Sequence, residues 1–241
     1  MTNNIFQTLF FLARPAAGKS EIIHYLESVP LSERMERFHV GKMIPLDDFP
    51  MLWSWFEDDD LLAEMGKPRL HTDEEGYFKY PYLWDLLIKR LGLEYKKLQR
   101  DNDLEDATVI IEFSRGKEHG GYRSAFNHMD ACLVNQAAIV YVDVSWEESL
   151  RKNRKRFNPD KPDSILEHGI PDKKLEHMYA ETDWFEITQD SPDYLVIAGH
   201  KVPFIVFENE DDLTSKINRD FLNRLNERMN TLWHLYESVD F

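Results

Sequence analysis

Three consecutive residues, Gly18, Lys19 and Ser20, have the types that grip a polyanion. A glycine lets the backbone turn tightly, a lysine carries mobile positive charge, and a small hydroxyl can reach a divalent cation. What precedes and follows them matters as much. Ile5 to Leu12 is an apolar run, and Glu21-Ile22-Ile23-His24-Tyr25-Leu26 carries apolar positions at helical spacing. The order predicts strand, tight loop, helix, with amides of the loop and of the first helical turn converging on one anion.

Other candidate groups follow along the chain. Asp47 and Asp48 come at the end of a strand candidate at 38–44, where paired carboxylates could orient an acceptor hydroxyl or simply cap a solvated turn. Thr108-Val109-Ile110-Ile111-Glu112 is an apolar, β-branched strand ending in an acid that could hold magnesium or its waters, and Arg115 lies three residues beyond. Arg151, Lys152, Arg154, Lys155 and Arg156 are the densest basic cluster. They sit on a helix that opens with a Ser145/Glu148 capping box. The cluster could close on an anionic group or form a solvated face.

Composition narrows the class. The 241 residues are 42% hydrophobic and 13% aromatic, enough to bury a substantial core, and no apolar run approaches the roughly 20 residues of a membrane span. With 44 acidic against 29 basic residues the net charge is −15, which argues against nucleic acid as a main partner. One cysteine, Cys132, rules out an internal disulfide and a cysteine-based zinc site. No basic lead precedes the first apolar run, so a cytoplasmic protein without membrane attachment is expected.

Against the phosphate-loop pattern G-x-x-x-x-G-K-[ST], the stretch Ala13-Arg14-Pro15-Ala16-Ala17-Gly18-Lys19-Ser20 has full spacing with alanine at the first glycine. It also resembles the G-x-P-G-x-G-K form of adenylate kinase and its relatives, keeping Pro15 and placing Ala16 at the second glycine. Asp47-Asp48-Phe49 is similar to the segment after the second strand of uridine and nicotinamide riboside kinases. Glu112-Phe113-Ser114-Arg115 resembles the acid-arginine signatures of deoxynucleoside and thymidylate kinases, with the arginine displaced.

The resemblance implies a three-layer α/β P-loop NTPase fold, in one domain, with a mostly parallel five-stranded sheet in the order 2-3-1-4-5. Val202 to Phe207 would be the fifth strand, residues about 50–100 a helical insertion, and about 157–172 a short lid. It implies an ATP-dependent phosphotransferase of unknown small-molecule acceptor, using Mg2+. A nucleotide-binding regulator or slow NTPase is the alternative. In this reading residues 13 to 20 and Glu21 cradle the nucleotide phosphates, Asn209 lies where related kinases pass the adenine, and Ser20 and Glu112 hold the metal. Lys19, Asp47, Asp48, Arg115, Arg151, Arg154 and Arg156 serve catalysis, the last three from the lid.

Overall fold

The structure, a computed structural model, describes residues 4–156 and 170–240. Strand β1 (Thr8–Ala13) is buried at all six positions, as a strand covered on both faces must be. It leads through the glycine loop into α1 (Lys19–Ser28), followed by α2 (Leu31–Phe38), β2 (Lys42–Asp47), α3 (Phe49–Glu64) and α4 (Tyr82–Asp101). Next come β3 (Ala107–Phe113), α5 (Gly121–Asn127), α6 (Ala131–Val134), β4 (Ala137–Asp143) and α7 (Trp146–Arg156). After the undescribed stretch, α8 (Asp172–Tyr179), α9 (Trp184–Thr188), β5 (Tyr194–Ile197), β6 (His200–Glu208) and α10 (Arg219–Glu237) complete the order.

The sheet runs β2-β3-β1-β4-β6-β5. Its first five strands are parallel in the expected order, with β6 in fifth place. The expected count of five is one short, because β5 pairs antiparallel with β6 as an edge hairpin. Ala198 (φ 49°) and Gly199 (φ 84°) turn between them, both left-handed, as a two-residue hairpin turn of matching twist requires.

Alternation along β1 builds the layers. Leu9, Phe11 and Ala13 face one core with Ile22 and Leu26 of α1 and Phe221, Leu225, Met229 and Leu232 of α10. Phe10 and Leu12 face the other, with Ile88, Leu91 and Tyr95 of α4 and Tyr122 of α5. The second strand lies later than the sequence pattern placed it, since Phe38 closes α2 and His39 turns left-handed at φ 55°. Pro45 lies within β2, where an edge strand tolerates its missing N–H. The shift puts Asp47 inside the ladder, directly opposite Glu112.

Between β3 and β4 the chain forms two short helices, α5 and α6. The buried Asp183 carboxylate caps α5, accepting from Tyr122 N at 2.7 Å and Arg123 N at 3.0 Å. Gly121 must lack a side chain there, because a Cβ would stand 2.3 Å from that carboxylate.

A third cluster joins the segment between β2 and β3 to α8, packing Trp84 and Leu87 of α4 against Leu175, Met178 and Tyr179. Asp59 of α3 anchors the following loop. Its buried carboxylate accepts from the backbone of Leu70, His71 and Thr72 and from the Thr72 hydroxyl, at 2.6 to 2.9 Å. Burial alone would raise its pKa, yet these bonds hold it at about 2. Among the described residues, no helix is long and apolar enough to cross a membrane.

Candidate active site

The loop after β1 is pinned from outside by its carbonyls. Ala13 O accepts from the Tyr122 hydroxyl (3.0 Å), Pro15 O from Ser149 Oγ (2.8 Å) and Ala17 O from Asn209 Nδ2 (2.7 Å). The first amides of α1 have no intrahelical acceptor, which makes them donors for an anion. Gly18 is required twice over. Its φ is 116°, and a Cβ would lie 2.5 Å from Thr214 Oγ1 and 2.6 Å from Asn209 Nδ2. Ala16 also sits left-handed, at φ 57°, where alanine is strained and glycine is not.

Lys19 is 6% exposed; its Nζ donates to Ser114 Oγ at 2.9 Å and lies 3.6 Å from Glu112 Oε1. Ser20 Oγ donates to the same Glu112 oxygen at 3.3 Å. A hydroxyl touching a carboxylate beside the loop fits a magnesium ion, which takes one or two protein oxygens and completes its shell with waters and phosphates. Among the described residues no cluster of three or more His, Cys, Asp or Glu side chains could by itself hold a metal.

Beyond the loop opens a cavity of about 740 Å³, lined by Pro15 to Glu21 and by Asp47, Asp48, Glu112, Arg115 and Arg156. Burial, with Asp48 and Glu112 adding repulsion, pushes the Asp47 carboxyl up to about 7. Its Oδ1 accepts from Phe49 N at 2.9 Å, fixing the entry to α3. Asp48 lies 2.7 Å from Arg115 Nη2 with both side chains buried, and burial raises its pKa against the pull of that arginine. Arg115 is held further by Trp84 O at 3.3 Å and by the faces of Trp84 and Phe113. So the two adjacent aspartates differ in kind. Asp48 is committed to an ion pair, whereas Asp47 keeps a carboxylate at the strand end beside Glu112.

A run of rings continues the cavity wall. Trp53 meets Phe56 (6.4 Å between centroids), Phe56 meets Phe78 (5.7 Å), Phe78 meets Trp84 (4.8 Å), Trp84 stacks on His119 (3.9 Å), and His119 meets Tyr179 edge-on (5.4 Å). His119 is 8% exposed with Nδ1 unpartnered; burial, then Arg115 and His177, press its pKa down to about 3. Lys174 donates to Gly76 O and lies over Tyr77 (4.9 Å) and Phe56 (5.4 Å), its pKa lowered by burial.

The remaining expected residues are distributed unevenly. Arg14 donates to the carbonyls of Val144, Tyr179 and Ala180 and is not among the cavity's lining residues. Asn209 is fully buried behind Gly18, bonded to Ala17 O and Thr214 Oγ1. Arg151 pairs with Glu148 (2.6 Å) and Asp212 (2.8 Å), and Arg154 with Asp172 (2.7 Å); neither lines the cavity, and Arg156 does. Most of the expected lid lies outside the described residues. Ser114, His119 and Lys174 entered the site unannounced. Ser114 had a signal in its place two residues past Glu112, while His119 and Lys174 arrive through the packing of α8 on the segment after β3, which no local pattern reports.

A parallel sheet ordered 2-3-1-4, with Gly18-Lys19-Ser20 joining the central strand to its helix and an acid ending the neighbouring strand, is the three-layer α/β arrangement that the phosphate-loop pattern predicts. Among solved structures, the chain is similar to a gluconokinase from Sinorhizobium meliloti 1021. The identity is 13% and the TM-score 0.44, over 95% of this chain and 98% of that one. It is also similar to a protein called APE1195, at 14% identity and a TM-score of 0.40, over 99% and 98%. No protein-family model matches the chain, and no curated protein sequence matches it either.

Proposed function

We propose that this protein is an ATP-dependent phosphotransferase acting on a small hydroxyl-bearing acceptor. The observation that carries the reading is the meeting of Lys19, Ser20, Glu112 and Asp47 along the cavity, two from the first turn of α1 and two from facing positions of adjacent strands.

Lys19 and the amides of the loop neutralise the outer phosphates. Ser20 and Glu112 would hold magnesium, which when bound would supply charge neutralisation at the phosphates. Asp47 accepts the proton of the acceptor hydroxyl as its oxygen attacks the γ-phosphorus and the bond to the β-phosphate oxygen breaks, with ADP keeping the bonding pair. Burial raises the Asp47 carboxyl well above the usual aspartate range, which suits it to taking up that proton. Arg115 works indirectly, holding Asp48 and so the turn from β2 into α3. Arg156 is the arginine of α7 assigned to the charge that spreads in the transition state.

ADP release measured with and without a panel of small alcohols tests the proposal. Acceptor-dependent release that Lys19→Ala abolishes is the expected result. Release indifferent to every acceptor would instead make the protein a slow NTPase.

A further inference from the structure

Arg14 is the first residue of the phosphate loop after β1, yet its side chain turns away from the cavity. Its guanidinium donates to Val144 O just past the end of β4 (3.1 Å) and to two carbonyls at the end of α8, Tyr179 O and Ala180 O, both at 3.3 Å. The last carbonyls of a helix have no intrahelical partner and carry the negative end of its dipole, so a cation spanning them is well placed. Three neutral acceptors thus occupy a charge that an anion-binding loop would otherwise turn toward its ligand.

The end of α8 is a junction. Gly116 passes so close to Met178 O that no Cβ would fit there, and Lys117 N donates to Glu181 O at 2.8 Å. Two residues before Gly116, Ser114 Oγ accepts from Lys19. The phosphate loop, its lysine and the segment after β3 therefore converge on one turn of chain. The start of α8 is fixed separately, on α7. There Asn153 exchanges two bonds with Ile170, donating from Nδ2 to O at 2.7 Å and accepting from N at 3.0 Å.

Between these two attachments α8 presents Lys174, His177, Met178 and Tyr179 to the cavity. Lys174 holds Gly76 O, while His177 meets the edge of Tyr77 (5.6 Å) and lies 3.8 Å from Glu118. Where α8 lies determines how these side chains meet a ligand. A polyphosphate in the loop engages its amides and removes freedom from residues 14 to 18. Ordering the backbone of Arg14 narrows the positions from which its side chain can hold α8. Two ligands that restrict one shared element are coupled in free energy, and the coupling is reciprocal.

Resting on the phosphotransfer reading above, we propose that Arg14 is a positioning residue that transmits nucleotide binding at the phosphate loop to α8, and so sets the wall of the acceptor cavity without touching either ligand.

Hydrogen exchange of the α8 amides tests this without any acceptor. Leu175 N and Ala180 N donate to Pro171 O and Glu176 O, so their exchange reports opening of the helix. Saturation with magnesium and a non-hydrolysable ATP analogue should slow exchange across residues 175–180 by about fivefold or more, the lower end of typical coupling between sites. In Arg14→Met, which keeps the length and removes the donors, the slowing should fall below about twofold, while calorimetry still finds the analogue bound within about tenfold of wild type. Arg14→Lys keeps the charge but spans fewer carbonyls, and its slowing should be smaller than that of wild type.

An arginine that merely held the fold together would speed exchange in the variant with and without nucleotide and leave the ratio unchanged. That result overturns the inference, as does slowing of wild-type size in either variant. Binding weakened by more than about tenfold in Arg14→Met also overturns it, by putting Arg14 on the phosphates. If Arg14→Met does not fold, Arg14→Lys decides by its own slowing. If wild type binds the analogue and α8 does not respond, the inference alone falls. If wild type binds no nucleotide, the phosphotransfer reading falls and the inference with it.

Discussion

Replacing His119 by phenylalanine should leave the protein about as stable as wild type at pH 8 and make it the more stable of the two in acid. The imidazole stacks on Trp84 at 3.9 Å, and its Nδ1 has no partner to lose, so a phenyl ring can take its place. Burial, with Arg115 and His177 adding repulsion, lowers its pKa from 6.5 to about 3. The folded form therefore binds fewer protons than the unfolded form between those values. Stability falls as pH drops through that window and is indifferent to this group above 6.5. At pH 4.5, two pH units below the unfolded value, the loss is on the order of 3 kcal/mol. For a chain of this size that corresponds to roughly 5–10 °C in Tm. The carboxylates that titrate in the same range do so in both proteins and cancel in the comparison. Urea unfolding of both proteins at half-unit steps from pH 8 to 4.5 provides the assay. Curves that stay parallel throughout would refute the assignment of a buried, neutral His119.

Ala16→Gly should stabilise the fold by about 0.5–1 kcal/mol and keep or improve Mg-ATP affinity, because it relieves a left-handed alanine; lost binding would mean that the methyl group contacts the ligand. Asp59→Asn should cost about 2–4 kcal/mol, since one amide oxygen replaces a charged acceptor of four bonds, and the damage should appear as faster proteolysis near residues 66–80. Arg156→Ala should lower turnover by about 10³-fold or more. Arg154→Ala, which breaks an exposed pair with Asp172, should change it little, and equal losses for the two would contradict the assignment of Arg156.

How far the sequence anticipated the structure depended on whether the determining contacts were local. The loop, its helix and the buried strands β1, β3 and β4 were legible because a strand covered on both faces must be apolar throughout. The edge hairpin was hidden because its turn is Ala198-Gly199, without the usual asparagine or aspartate. β2 was placed too early because Phe38 and Val40 looked like strand residues while Pro45 looked like a strand end; Lys42, Met43 and Ile44 belong to both the expected and the observed strand.

The basic cluster on α7 illustrates the other limit. Helical spacing put Arg151 and Arg154 on one face, but acids far along the chain, Asp212 and Asp172, determine where they point. The left-handed φ of Ala16 was equally beyond reach, since no side chain reports its own backbone angle.

The central claim is that the loop binds Mg-ATP through Lys19. Calorimetric titration of a non-hydrolysable ATP analogue with magnesium, into the wild type and Lys19→Ala, tests it most directly. The account predicts a saturable heat for the wild type that disappears in a variant whose unfolding transition is intact. Equal affinity in the two proteins, or no binding by a folded wild type, would contradict it.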